Sequence, residues 1–334
     1  MFFLQFSFDE LKQIIYLMDI FTHAVVGALL YILFLRDVTF DYLPIAIFFA
    51  VLPDLDIFLI PLRRIFKSKY LDHRGGSHSY VMGIMVSAFL SIFYSIFRSK
   101  SFFITWIIGT VFYGLHVSMD LLTTTKIPYL YPLSKKEHCF YVEKAGSFFT
   151  MVNSIFLILL LVLLFNFSAD LALIRFVLNL YTAFFIIYYF YRIVSKVWFS
   201  SNLKDNQKYF PSISPFSFVI YNQNITENNI LLKLEKKNHF LKPKEISNID
   251  FTLNHEEMIL FEKSMELLKK NYYYAKWTLF PIIIRNNDVF CVRFYFLETM
   301  RRKSAFYIQY HFGMLTHQLI SYKRGSGPIQ SQYG

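Results

Sequence analysis

The chain of 334 residues joins an apolar composition to a strong positive charge: 55% of the residues are hydrophobic, 20% are aromatic, and the formal net charge is +11. A soluble protein with a mean hydropathy of +0.39 would expose adhesive patches, whereas a membrane protein with basic loops accommodates both features. No DNA- or RNA-binding motif accompanies the basic residues, so we expect no nucleic-acid partner.

The first half of the chain consists of apolar runs behind a short leader. Residues 1–17 are aromatic-rich and lack the features of a signal peptide, and we interpret them as an interfacial leader. The runs that follow are close to the ~20 residues that cross a bilayer. We expect six crossings, with five as the alternative, because the first run is short and the sixth contains Arg175. The runs cover residues 20–35, 42–60, 79–97, 102–122, 148–167 and 171–191.

Basic residues concentrate in the loops that follow the second, fourth and sixth runs, at residues 63–74, 126–144 and 192–208. The intervening loops carry few. By the positive-inside rule, the basic loops and both termini face the cytoplasm.

After about residue 205 the pattern changes to short β-prone runs separated by Asn-rich turns, with one amphipathic helix at 255–270. The predicted strands are Phe216–Tyr221, Ile230–Leu234, Thr278–Ile284, Val289–Phe296 and Phe306–Phe312. The fold class predicted is a mainly α, polytopic membrane protein with a small C-terminal α+β, β-rich cytoplasmic domain. Its parts are the leader (1–17), a transmembrane metal-site domain (18–200), the β-rich domain (205–322) and a disordered tail (323–334).

Ionisable residues that can bind a metal occur where the apolar runs begin or end. The predicted topology puts all of them on the cytoplasmic side, although the loop charges that assign this side include none of them. His116 and Asp120 are four residues apart inside an apolar run, so a helix places them on one face. An ionisable group costs several kcal/mol there, which favours a functional partner, although a His–Asp pair that joins two helices is equally compatible. The candidates are His23, Asp54, Asp56, His73, His78, His116 and Asp120.

Imidazole and carboxylate ligands without a thiolate suit Zn, Mn or Fe, and Ca or Mg less well. The two cysteines, Cys139 and Cys291, are far apart and indicate neither a disulfide framework nor a thiolate site. Seven candidates exceed the needs of one tetrahedral ion, which leaves room for a second ion or for supporting groups.

Four motifs resemble a known family, the LexA-regulated, YdjM-like inner-membrane metal-dependent hydrolases of bacteria and archaea. They are residues 18–23 (MDIFTH), 52–56 (LPDLD), 73–79 (HRGGSHS), and His116 through 120–124 (DLLTT) to 131–134 (YPLS). The resemblance implies a multi-pass inner-membrane hydrolase with a metal centre, but no particular substrate. The family usually begins at the position of Met18, and Glu143 stands near a position that is often Asp.

We therefore expect a metal-dependent hydrolase that activates water to attack an ester or phosphoester, with a lipid or lipid-linked substrate at the cytoplasmic interface. The expected metal ligands are Asp54, Asp56, His78, His116 and Asp120. His73 or His23 would be a further ligand or a general acid, and Arg74 would hold an anionic group. The alternatives are a metal or proton transporter and a non-catalytic scaffold with a structural metal, and no protein partner is indicated.

Overall fold

The computed structural model describes residues 8–35, 40–59, 74–167, 170–226, 229–270, 276–286 and 288–329. These residues form seven α-helices and eight β-strands. The chain divides into a helical unit, Ile14–Val194, and a β-rich unit that contains Ser195–Gly334 together with the segment up to Gln13. The predicted class, a mainly helical membrane part with a β domain, is confirmed.

Six helices precede the strands, and four of them are long and apolar enough to cross a membrane. These four, α3 to α6, correspond to the third to sixth predicted runs. Within α1, the apolar part Ile20–Leu35 is shorter. Six crossings are therefore not shown by the described residues. The helices are α1 (Phe8–Leu35), α2 (Leu43–Val51), α3 (Tyr80–Arg98), α4 (Phe102–Leu122), α5 (Phe148–Asn166) and α6 (Leu171–Ser201).

The structure describes part of the predicted leader and corrects one of the predicted runs. Residues 8–17 of the predicted leader belong to the continuous helix α1, while residues 1–7 lie outside the described part. The run 42–60 is not one long helix, because α2 has only nine residues and a 3₁₀ segment, Leu52–Leu59, follows it. Pro53 explains the break, since proline has no N–H for a helical hydrogen bond and its ring crowds the preceding turn.

The long helices carry apolar side chains that no other part of the described chain covers. Phe89 and Phe97 on α3 and Phe156 and Leu163 on α5 are more than half exposed. Such surfaces suit lipid, and the helices satisfy their backbone hydrogen bonds internally, as a bilayer requires.

The β-rich unit has two four-stranded antiparallel sheets, each with its strands in sequence order. Helix α7 (His255–Lys270) connects them and packs on the second sheet, where Phe261 and Phe294 have ring centroids 6.0 Å apart. The strands are β1 (Gln207–Pro211), β2 (Ser217–Ile225), β3 (Asn229–Asn238), β4 (Lys244–Thr252), β5 (Leu279–Asn286), β6 (Val289–Phe296), β7 (Ser304–Gly313) and β8 (Leu319–Pro328).

All five predicted strands and the amphipathic helix are present, the helix with the predicted bounds. Strands β1, β4 and β8 were not predicted. The expected disordered tail is wrong up to Pro328, because β8 pairs with β7 as far as that residue. Residues 330–334 lie outside the described part of the chain.

Small residues let α2 and α4 approach closely in the helical unit. A Cβ atom added to Gly109 of α4 would lie 2.8 Å from the ring of Phe49 on α2 and 2.9 Å from Cβ of Ser87 on α3. Phe49 and Ala50 are fully buried in the same core cluster as residues of α4. Gly109 is therefore needed for a contact that also positions the backbone of Ala50.

We predict that Gly109→Ala destabilises the helical unit by about 1–3 kcal/mol, because an extra methyl group in a tightly packed core forces its neighbours to move. Gly114→Ala on the same helix is the matched control, since its Cβ would meet Tyr80 at an ordinary 3.6 Å. Thermal unfolding in detergent should show a lower midpoint for the first variant alone. Equal midpoints would contradict the close packing described for Gly109.

Candidate metal centre

Helix α4 provides one side of a buried polar cluster. His116 and Asp120 are both fully buried near its C-terminal end. Their spacing of four residues puts both side chains on one face, as the sequence predicts. His116 Nε2 lies 3.8 Å from Asp120 Oδ2.

The other side of the cluster comes from two segments that are not part of a long helix. Asp54 belongs to the 3₁₀ segment after α2, and His78 lies in the loop just before α3. His78 Nε2 is 3.4 Å from Asp54 Oδ1 and 3.1 Å from Asp120 Oδ2. Asp54, His78, His116 and Asp120 each direct a ligand atom to one point, and these atoms lie within 4.8 Å of one another. This buried cluster can hold a metal ion.

The two imidazoles are oriented by groups at their Nδ1 atoms. His116 Nδ1 is 2.7 Å from the carbonyl oxygen of Ala50, and His78 Nδ1 is 3.3 Å from Asp56 Oδ2. Carbonyl and carboxylate oxygens only accept hydrogen bonds, so each Nδ1 is the protonated nitrogen. In the neutral rings both Nε2 atoms then present a lone pair to the cluster. Partners of this kind support histidine ligands in metal sites.

The separation of the two Nε2 atoms fits a metal centre. They are 3.2 Å apart, so a protonated His78 Nε2 can donate a hydrogen bond to His116 Nε2, and a metal ion that binds between them takes the place of that proton. Nitrogens bound at ~2.0–2.1 Å to a tetrahedral ion are about 3.3–3.4 Å apart. The four donors are oxygen and nitrogen atoms without sulfur, and the choice of Zn, Mn or Fe stays a prediction.

Asp56 lies beside the four-residue cluster instead of within it. Its Oδ2 accepts hydrogen bonds from the backbone N–H of Arg74 (3.1 Å) and the hydroxyl of Ser77 (2.5 Å), besides its contact with His78. These bonds connect the 3₁₀ segment with the loop before α3. The expected direct ligand therefore orients His78 in this geometry.

Arg74 contacts Asp120 near the end of α4 and Thr125 just after the helix. Its Nη2 donates to Asp120 Oδ1 at 3.0 Å and its Nη1 donates to Thr125 Oγ1 at 2.8 Å. The side chain is buried, and these contacts join it to Asp120 and Thr125, while its expected role in holding an anionic group stays a prediction. Arg74 also has a left-handed backbone, with φ of 60°, which directs its N–H to Asp56.

His23 is close to the cluster, whereas His73 lies outside the described residues. The ring of His23 stacks on that of His116 with centroids 3.8 Å apart. Its Nε2 is 3.6 Å from Asp120 Oδ1, the oxygen that faces Arg74. His23 is thus near Asp120 but is not one of the four converging residues.

The carboxylates favour a proton on His78 when no ion is bound. Burial disfavours the charged imidazole, but hydrogen bonds to Asp120, Asp54 and Asp56 outweigh it and raise the pKa of His78 well above its usual value. An ion that binds to this nitrogen displaces the proton, so metal binding and proton release are linked.

Glu143 and Arg192 form a second buried ion pair, which no pattern in the sequence indicates. Arg192, which appears in the sequence as a loop charge, is fully buried in α6, and its Nε lies 3.0 Å from Glu143 Oε2. Tyr188 donates to the same oxygen at 2.5 Å. Glu143 is therefore joined to α6 and is not among the four converging residues.

The comparisons with known proteins agree with these features. The family model described as YdjM inner membrane protein matches residues 18–199, which is more than half of the chain. This chain belongs to the YdjM inner membrane protein family. The matched region holds every residue of the buried cluster, three of the candidate membrane spans in full and the fourth up to residue 199. A search of curated proteins and a search of solved structures found no match.

We predict that this YdjM-family protein binds a divalent ion through the four converging residues. Loss of one ligand leaves the other buried charges poorly compensated, so His116→Ala and Asp120→Asn should both lower the metal content despite their different charges. Metal per protein is measured in detergent after loading with Zn, Mn or Fe. Asp41→Asn is the matched control, because Asp41 is exposed and pairs with Lys100 away from the cluster.

Asp56→Asn should give a graded result, with metal affinity about 10–100-fold lower instead of lost, because Asp56 acts through His78. Unchanged metal content in the His116 and Asp120 variants would mean that the cluster is a hydrogen-bonded contact between helices.

Proposed function

We propose that this protein is a membrane-bound metal-dependent hydrolase that acts on an ester or phosphoester. The observation that carries the proposal is the convergence of two imidazole nitrogens and two carboxylates at one buried point. A divalent ion held there would lower the pKa of a water molecule and polarise the bond to be cleaved. Membership of an inner-membrane family supports the location.

The residues around the cluster support this chemistry by holding its geometry. Ala50 and Asp56 hold the two imidazoles with their Nε2 atoms toward the cluster. Arg74 holds Asp120 through Oδ1, so the other oxygen can face the ion. His23, stacked on His116, is the described group best placed to exchange a proton at the cluster.

We propose a lipid or lipid-linked substrate because of where the cluster lies along the chain. His78 is two residues before the start of α3, and Asp120 is two residues before the end of α4. The cluster is thus at the ends of two candidate spans, at the depth where headgroups meet the hydrocarbon region.

Two other functions, a scaffold with a structural metal and a metal or proton transporter, would use the same residues. A structural metal in a scaffold would need a closed coordination shell, and four protein ligands are enough for tetrahedral zinc. An octahedral ion such as Mn or Fe would keep positions open for water and substrate. A small cavity that reaches Asp120 and His23 supports the hydrolase, because it leaves room beside the cluster for a substrate group.

We also propose that the cluster and both chain termini face the cytoplasm. The connection between α4 and α5 contains Lys126, Lys135, Lys136 and Lys144, whereas that between α3 and α4 contains Lys100. The difference in positive charge favours the cytoplasm for the first connection.

Reporter fusions test this orientation. Fusions after Asp205 and within residues 126–144 should fluoresce with a cytoplasmic reporter and remain inactive with alkaline phosphatase, which needs the periplasm. Alkaline phosphatase activity at either position would reverse the orientation.

The hydrolase is tested with the metal-loaded protein and a panel of carboxylic and phosphoric esters, both water-soluble and lipid-linked. We expect hydrolysis of at least one class, and His116→Ala should abolish the metal-dependent hydrolysis, because the loss of a ligand lowers the metal occupancy. His138→Ala is the matched control, since His138 pairs with Ile127 and is not part of the cluster.

The alternatives give different results in the same preparations. Stoichiometric metal with no hydrolysis of any ester would favour the scaffold. Metal-dependent uptake into proteoliposomes without hydrolysis would favour the transporter.

A further inference from the structure

A small, partly open cavity lies directly beside the candidate metal centre. Asp120 and His23 contribute to its wall, so the cavity and the cluster share residues. The space for the centres of water molecules is about 20 Å³. One water needs about 10–15 Å³ by the same measure, so one or two oxygen atoms of a polar group fit while an acyl chain does not.

Two buried hydroxyls in the cavity wall need a ligand. Thr22 is 5% exposed and Ser147 is 4% exposed. Within the described part of the chain, neither Thr22 Oγ1 nor Ser147 Oγ has a hydrogen-bond partner. A buried hydroxyl without a partner costs about 1–3 kcal/mol. Each can donate to a group that enters the cavity.

The N-terminus of α5 faces the same space. Ser147 is the N-cap residue of this 19-residue helix, yet its side chain makes no capping hydrogen bond. The wall also includes Thr150 in the first turn. The first-turn amides and the helix dipole make such an end attractive to anions.

The charges around the cavity also favour an anion. Lys144, which is buried, is part of the wall. The two carboxylates in the wall each have a guanidinium beside them: Asp120 is 3.0 Å from Arg74, and Glu143 is 3.0 Å from Arg192. A divalent ion at the cluster would add further positive charge next to the cavity.

We propose that this cavity binds the phosphate group of the substrate, so that the enzyme is a phosphoesterase. The inference rests on the proposed hydrolase function and narrows its substrate class. A phosphate offers several acceptor oxygens to the hydroxyls of Thr22 and Ser147, the Lys144 ammonium and the first turn of α5. A carboxylic ester has no charged oxygens for these donors.

In this reaction the water oxygen forms a bond to phosphorus and the bond from phosphorus to the alcohol oxygen breaks. One proton of the water moves to the departing alcohol oxygen, so a phosphomonoester gives an alcohol and inorganic phosphate. No oxidant or further reactant is required.

The test measures inorganic phosphate binding to the full-length, metal-loaded protein in detergent by calorimetry. Thr22→Val and Ser147→Ala should each weaken phosphate binding by about ten-fold or more, the effect of losing a hydrogen bond to a charged group. Metal content and thermal stability should not fall, because neither hydroxyl has a partner within the described structure. Lys144→Met should act in the same way, and Lys126→Met, in the same loop but outside the cavity wall, is its control.

Phosphate binding that is equal in the parent and the Thr22 and Ser147 variants would overturn the inference, as would a metal-loaded parent that binds no phosphate. Hydrolysis of carboxylic esters that phosphate does not inhibit would also overturn it, while leaving the hydrolase intact. Phosphate binding with the predicted variant effects but no ester hydrolysis would support the anion site and count against the hydrolase.

Vesicles of phosphatidylcholine with phosphatidic acid, compared with soluble glycerol phosphate, identify the source of the phosphate. Hydrolysis of either one, weakened in the Ser147 variant, supports the site, and the faster of the two assigns the headgroup or the soluble ester.

Discussion

The approach of His78 Nε2 to His116 Nε2, at 3.2 Å, is the contact on which the rest of the helical unit depends. Two carboxylates and two imidazole lone pairs that converge in a buried setting need a positive charge beside them, either a proton on His78 or a metal ion. Within the described residues, the carboxylates of Asp54, Asp56 and Asp120 lie in or beside the cluster, and the Arg74 guanidinium is 3.0 Å from Asp120. A divalent ion would offset the remaining negative charge. The contact of Ala50 with His116 and that of Asp56 with His78 keep the two imidazoles in place while that ion binds.

The fold brings these donors together through an interrupted element. Pro53 ends the regular helix, so Asp54 and Asp56 lie in a 3₁₀ segment instead of continuing along a straight span. Gly109 allows α2 to approach α4, and this contact places the carbonyl of Ala50 against His116. The cluster therefore depends on packing between α2 and α4 as much as on its own ligands.

Much of this arrangement could be predicted from the sequence, because apolar length and helical spacing are local features. The spacing of His116 and Asp120 predicts a shared face, and the runs at 79–97 and 102–122 correspond closely to α3 and α4. The prediction of a single helix over the run at 42–60 was wrong, since hydropathy alone does not show that Pro53 ends the helix. The helix α7 was predicted with its observed bounds because it combines one apolar face with polar flanks.

Other features depend on contacts that no local pattern records. Asp56 resembles a ligand in the sequence but faces Ser77 and the backbone of Arg74, which only the loop geometry determines. Arg192 has the appearance of a loop charge and is instead buried against Glu143. Strand β8 contains two glycines and mostly exposed side chains, and it forms because backbone hydrogen bonds to β7 need no apolar pattern.

X-ray absorption at the metal edge tests the central claim most directly, because it reports the atoms bound to the ion in the intact protein. The account predicts two imidazole nitrogens and carboxylate oxygens at about 2.0–2.1 Å, with one imidazole lost in His116→Ala. A spectrum with sulfur ligands, or an imidazole contribution that is unchanged in the His116 variant, would contradict it.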